Sequence, residues 1–239
     1  MIKNWKFIMP LVLLLIAALA VVGFNQGDST DLTNMPDVSK QMNQLFNKIY
    51  ENYAGAVVSV RSEATVHEID SKEGTGFFIN NQGYVVTAYE NIKQGQVATV
   101  LFNKKSVEMT VLKSDEKSGL ALLKPAANLN VKNFLTLETS TNPKLADSCI
   151  MLSNILKSIS LTGKPTMRTG EISGFYKPEN GSRNLFETSI NYDQSSIGAP
   201  IFNIDGKVIG LTSKFNKAGR WMTTAISSTI IDEFVKTVK

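Results

Sequence analysis

The 239-residue chain contains one histidine and one cysteine, and these two scarcities exclude a good deal. A lone cysteine cannot close a disulfide within the chain, so the fold is held by its core. Cys149 lies in the apolar run Cys149-Ile150-Met151-Leu152 and reads as a buried core thiol. A catalytic thiol needs an imidazole or cation beside it, and the sequence suggests none. The lone histidine, His67, reads as an exposed loop residue. Excess charge is lacking too. The formal net charge is +4, and Lys3 and Lys6 supply two of those four. So balanced a remainder carries no nucleic-acid stripe, and nucleic acid is not expected as a partner. Lys236 and Lys239 read as a favourable helix C-terminus. No internal repeat, low-complexity segment, metal site or cofactor motif stands out.

What is present starts at the N-terminus. Residues 1–6 carry two lysines and no acid, and residues 7–24 are apolar or small without a charge. Eighteen such residues are near the lower limit for a membrane-spanning helix. The basic flank places residues 1–6 in the cytoplasm and everything after Phe24 on the extracytoplasmic side, as a single-pass anchor. Ala18-Leu19-Ala20 resembles a signal-peptidase site, so a cleaved signal peptide is the competing reading. Residues 25–37 are a polar linker, and residues 38–239 form one domain.

That domain opens with a helix over Val38–Tyr53, whose apolar residues Val38, Met42, Leu45, Phe46, Ile49 and Tyr53 recur at three- and four-residue steps. Short β-rich runs then continue to about Ala225: Ala56–Arg61, Gly76–Ile79, Tyr84–Thr87, Val97–Phe102, Val107–Leu112, Leu120–Lys124, Cys149–Leu152, Gly170–Gly174, Glu187–Ile190, Ala199–Phe202 and Lys207–Ser213. Turn residues separate them, with Asn80–Gly83 and Ile204–Lys207 reading as hairpin turns. Many short strands without helices between them predict an all-β barrel or sandwich. A last helix is predicted from Ser228, with Asp232 and Glu233 in its first turn and Ile230, Ile231, Phe234, Val235 and Val238 facing inward.

Five collinear stretches resemble the HtrA/Deg family of trypsin-like serine proteases. The most specific is Gly74-Thr75-Gly76-Phe77-Phe78-Ile79, followed by a turn ending in Gly83 and then Tyr84-Val85-Val86-Thr87-Ala88-Tyr89-Glu90-Asn91-Ile92. The others are Ala54–Val60, Ser114–Lys124, Thr188–Gly210 and Ala225–Ser228. The resemblance covers nearly all of residues 38–238. It implies two six-stranded antiparallel β-barrels with the active site between them, flanked by the N-terminal amphipathic helix and a C-terminal helix. Family members usually carry PDZ domains afterwards; the chain ends at Lys239, and no such module is expected.

Peptide hydrolysis on this fold needs a serine oxygen, an imidazole and a carboxylate that orients the imidazole. Where the resemblance implies histidine, aspartate and serine, this chain has Glu90, Gly119 and Ile197. The expectation is a degenerate triad and no enzyme activity. Ile197 should make the site apolar, and Ser195 replaces a glycine that supplies an oxyanion-hole amide in the family. The alternative is an active endopeptidase with Ser195 or Ser196 as a rearranged nucleophile. A Ser–Lys dyad would use Lys93 or Lys214, and a two-carboxylate glycosidase would pair Glu90 with Asp193 or Asp115. The plain reading of Glu90 is a solvated or ion-paired glutamate in a disused cleft. The hairpin strand after Gly206 resembles the edge along which the family aligns its substrates. Gly210, Leu211, Thr212 and Ser213, with Ser195, Ser196 and Gly198, are therefore the candidate peptide-binding residues. Expected partners are a protein or extended peptide, the membrane through the N-terminal helix, and further copies of this chain or a related active protease.

Overall fold

The computed structural model describes residues 38–63, 72–92, 97–154, 164–176, 185–191, 194–217 and 220–238. The anchor and linker, His67, Lys93, Asp193 and the side chain of Lys214 lie outside the described residues. The chain divides into two units, Met1–Gln41 and Met42–Lys239. Only the start of the first helix is described in the first unit, and the second carries the fold.

Helix α1 (Val38–Tyr53) has the predicted bounds. Leu45, Phe46, Ile49, Tyr50 and Tyr53 pack on the largest core cluster, so the apolar stripe is turned toward the domain's own core. Tyr50 Oη donates to the Pro165 carbonyl at 2.8 Å, and the Tyr53 ring stacks on Phe202 with centroids 5.6 Å apart. Burying a side chain of the size of Ile49 contributes about 2 kcal/mol, and these tyrosine contacts set the helix's register on the barrel.

Two closed antiparallel barrels follow. The first contains β1 (Val57–Glu63), β2 (Lys72–Phe78), β3 (Val85–Ala88), β4 (Val97–Phe102), β5 (Lys105–Asp115) and β6 (Leu120–Pro125). Its spatial order is β1-β2-β3-β6-β5-β4, closed by β1 against β4. The second contains β7 (Ser148–Ser153), β8 (Thr166–Tyr176), β9 (Leu185–Thr188), β10 (Pro200–Phe202), β11 (Val208–Lys217) and β12 (Arg220–Ser227). Here β10 closes on β7, pairing Ile201 with Met151.

Strand alternation divides the apolar residues among three cores. Val58, Val60, Phe78, Val85, Val100 and Leu123 fill the first barrel, while Cys149, Met151, Phe186, Ile201 and Ile209 fill the second. The opposite faces of the same strands, carrying Phe77, Val86, Leu122, Ile150, Leu152 and Leu211, meet in the seam between the barrels. Strands β3 and β6 are thus buried on both faces, which is why they read as continuous apolar runs rather than alternating ones.

Several elements depart from expectation. β12 lies outside the runs singled out from sequence, although two six-stranded barrels imply a twelfth strand. β5 and β8 each run eleven residues, well beyond the five or six predicted. Backbone pairing extends each ladder past the positions that signal a strand, in β5 over the exposed Lys105 and Ser106 and in β8 over the half-buried Thr166, Met167 and Arg168. Helix α2 (Ser228–Lys236) starts where predicted and buries Ile231 and Phe234, but Asp232 and Glu233 fall after its first turn. Asp232 instead pairs with Lys236 one turn later, at 2.6 Å.

Candidate functional site

The seam between the barrels reaches the surface where four pieces of chain meet: the 3₁₀ turn Tyr89–Asn91 after β3, the turn before β6, the loop before β10, and β11. The three positions singled out from sequence are neighbours here. The Tyr89 amide donates to the Gly119 carbonyl at 2.9 Å, and Asn91 Nδ2 donates to the Ile197 carbonyl at 2.8 Å.

A buried polar knot holds this junction. The Ile197 carbonyl accepts a second bond from the Thr75 amide, also at 2.8 Å. Asn91 Nδ2 also donates to Thr87 Oγ1 at 2.9 Å, and Thr87 Oγ1 donates to the Thr75 carbonyl at 2.7 Å. Thr75 Oγ1 accepts from the Asn154 amide at 3.1 Å and lies 3.0 Å from the Ser195 carbonyl, tying the first barrel to the second. From the other side, the Ala199 amide donates to Thr212 Oγ1, the Gly198 amide to the Thr212 carbonyl, and Thr212 Oγ1 to the Ser196 carbonyl. Thr75, Thr87, Asn91 and Thr212 are all buried, so these bonds form away from water, where leaving any of them unmade is costly.

Two glycines make the approach possible. Gly198 has φ +87°, and a Cβ there would lie 2.0 Å from the Thr75 carbonyl oxygen. Gly119 has φ +72° and closes a tight turn, its amide donating to the Asp115 carbonyl at 2.9 Å. Asp115 is occupied in that turn, accepting the amides of Lys117 and Ser118. Hydrogen bonding by the Ser118 side chain, helped by the two amides, holds its carboxyl below the ordinary range. It serves as a turn-capping group and not as the partner of Glu90 considered from sequence.

Ile197 is 6% exposed and belongs to the seam core with Ala88, Leu120 and Leu152. Glu90 has no ion pair among the described residues. It is half-buried; Ser213 Oγ donates to its Oε1 at 3.3 Å, while Oε2 is shut off from solvent without a hydrogen-bond partner. Ser196 is buried at 2% exposure, and Ser195 is half-buried. Cys149 is fully buried, and burial pushes its thiol up to about 12, as suits an inert core residue.

The expected peptide-binding stretch shifts along the strand. Gly210 and Leu211 are paired on both sides, to β10 and to β12, and the backbone of Thr212 is engaged with Gly198 and Ala199. These three residues have no edge to offer. From Ser213 to Lys217, β11 pairs only with β12 among the described residues, so the strand's unpaired edge begins at Ser213, which is itself 2% exposed. Sequence reading missed Thr75, Thr87 and Asn91 as site residues, and placed Thr212 on a peptide-binding edge rather than in this knot. Only the polar Asn91 between Glu90 and the apolar Ile92 carried a signal. Among the described residues no group of three or more metal-binding side chains occurs.

Residues 74–211 match the family model of the trypsin-like peptidase domain. The chain belongs to the trypsin-like peptidase family. Within it, this trypsin-like domain is similar to HtrA and DegP proteins. It is 29% identical over 198 residues to serine protease HTR4 of Rattus norvegicus, covering 78% of this chain and 39% of that one. It is 24% identical over 219 residues to a probable periplasmic serine endoprotease DegP-like of Halomonas elongata, covering 86% and 44%. The chain thus spans less than half the length of these relatives. An active-form protease of M. tuberculosis shares the fold with a TM-score of 0.68 at 18% identity, covering 82% of this chain and 86% of that one. The serine endoprotease from Yersinia pestis does so with a TM-score of 0.65 at 19% identity, covering 81% and 66%.

Proposed function

We propose that this trypsin-like domain is a pseudoprotease of HtrA type, which binds extended polypeptide or modulates an active partner without hydrolysis. The observation that carries this reading is Ile197. A buried aliphatic side chain, packed into the seam core, occupies the position that the family resemblance assigns to the nucleophile. It can neither attack a carbonyl nor carry a proton. Glu90 stands where the family resemblance calls for an imidazole, and the hydroxyl that donates to it, Ser213 Oγ, belongs to the strand rather than to the loop. Gly119 has no side chain to orient a base. Burial of Ser196 weighs against a rearranged nucleophile, since an attacking hydroxyl must reach substrate. The edge of β11 left unpaired from Ser213 among the described residues supports the positive half of the proposal, because pairing a strand to a peptide needs no triad.

The N-terminal apolar run supports an extracytoplasmic domain held by a single-pass anchor, with the N-terminus in the cytoplasm. Among the described residues no helix is long and apolar enough to cross a membrane, so the anchor reading rests on sequence. Retention in the membrane pellet after alkaline carbonate extraction tests it. The loss of hydrolysis is tested by fluorophosphonate labelling of the purified chain beside an active serine protease. The proposal expects no adduct; labelling of Ser195 or Ser196 refutes it.

A further inference from the structure

We propose that Glu90 is the anionic anchor for a lysine or arginine side chain of an extended polypeptide laid along the open edge of β11. The inference rests on the peptide-binding reading above and names the class of peptide that the site would select.

A carboxylate oxygen buried without a donor is costly, and in a folded protein such a group calls for an explanation. Glu90 Oε2 is such a group. Its other oxygen accepts only from Ser213 Oγ, at 3.3 Å, a long and uncharged contact. Among the described residues no lysine or arginine pairs with Glu90; Lys207 is engaged by Glu138 and Lys236 by Asp232. Among the described residues, then, no cation offsets the charge on Glu90.

Its position gives that charge a direction. Ser213 is the residue at which β11 loses its partner on one side, and its side chain touches Glu90. A peptide added to this edge would pass the carboxylate at its first paired residues. The neighbouring seam is apolar, with Ala88 fully buried and Ile197 nearly so. In such surroundings a charge-assisted bond is stronger than at an open surface. A cation satisfies the unpaired oxygen and neutralises the charge together, whereas a neutral donor does only the first.

The test uses the full chain in detergent micelles and fluorescein-labelled heptapeptides, N-acetylated and C-amidated, of alternating Thr and Val. One position at a time is replaced by Lys, Arg, norleucine or Glu, and binding is read by fluorescence anisotropy. At one register Lys and Arg should bind roughly tenfold or more tighter than norleucine, the range expected of a hydrogen bond to a charged group. Glu should be the weakest, and Glu90→Gln should abolish the preference for Lys over norleucine. Equal binding of Lys and norleucine peptides by the unaltered chain overturns the cation site and leaves edge binding standing. A norleucine peptide made with a free N-terminal amine that binds as tightly as the acetylated Lys peptide overturns the side-chain assignment. Absence of binding by every peptide overturns this inference together with the reading it rests on.

Discussion

Replacing Asn91 with alanine probes the knot that holds the loop before β10. Asn91 is 2% exposed, and its amide donates to Ile197, Thr87 and, at 3.4 Å, Thr75. The substitution takes from Thr87 Oγ1 its only donor, though that hydroxyl still donates to the Thr75 carbonyl, and it leaves neither carbonyl abandoned. The Ile197 carbonyl keeps the Thr75 amide, and the Thr75 carbonyl keeps the Thr87 hydroxyl. The loss is therefore two good hydrogen bonds at about 1 kcal/mol each, the third being too long to count for much. The vacated amide adds a small cavity of about 1 kcal/mol. A total near 3 kcal/mol should lower Tm by about 6–12 °C in a domain of this size. Near-UV circular dichroism during heating measures that shift, with Glu108→Ala on the exposed face of β5 as control. Hydrogen exchange adds a local readout, since the Gly198 amide should lose protection while that of Met151, deep in the second barrel, should not. A loss below about 0.5 kcal/mol, the level of an ordinary surface change, would refute the claim that this knot sets the loop.

Three further outcomes follow from the geometry. Glu138 is buried at 4% exposure, and hydrogen bonding from the Ser140 side chain and then from Lys207 lowers its carboxyl from 4.5 to about 2. A depressed folded value means its contribution is full above the unfolded carboxylate range and lost as pH falls from about 4.5 toward 2; acid unfolding should lose that limb in Glu138→Gln. The Cys149 thiol should be unreactive toward a disulfide reagent at pH 8 in the folded chain and react once per chain after denaturation, because burial keeps it protonated. Gly198→Ala should cost 3 kcal/mol or more, roughly, or prevent folding, since its Cβ would collide with the Thr75 carbonyl at a φ of +87°; expression and melting of this variant beside Gly55→Ala check it.

Periodicity exposed those parts of the fold where burial alone decides. α1 has its predicted bounds because its apolar stripe is long and regular, and β4 because Val97–Phe102 ends at a turn. β12 was hidden because Arg220-Trp221-Met222-Thr223-Thr224 has no clean alternation, and its pairing to both β11 and β9 is a tertiary fact. Glu90, Gly119 and Ile197 were legible through the family resemblance and come together at the seam. The bonds that join them were not legible, since Thr75, Asn91 and Thr212 act across separations of many residues. Nor does a linear pattern reveal that β11 is paired on both sides through Leu211 and loses one neighbour only at Ser213.

The central claim is that this domain holds extended polypeptide without cutting it. The most direct measurement incubates the purified full chain with reduced, carboxymethylated insulin B chain, isolates the complex and weighs the bound polypeptide by mass spectrometry. The account predicts B chain recovered in the complex at its intact mass after prolonged incubation. Fragments that appear with time, and disappear when Ser195 and Ser196 are both replaced by alanine, would contradict it.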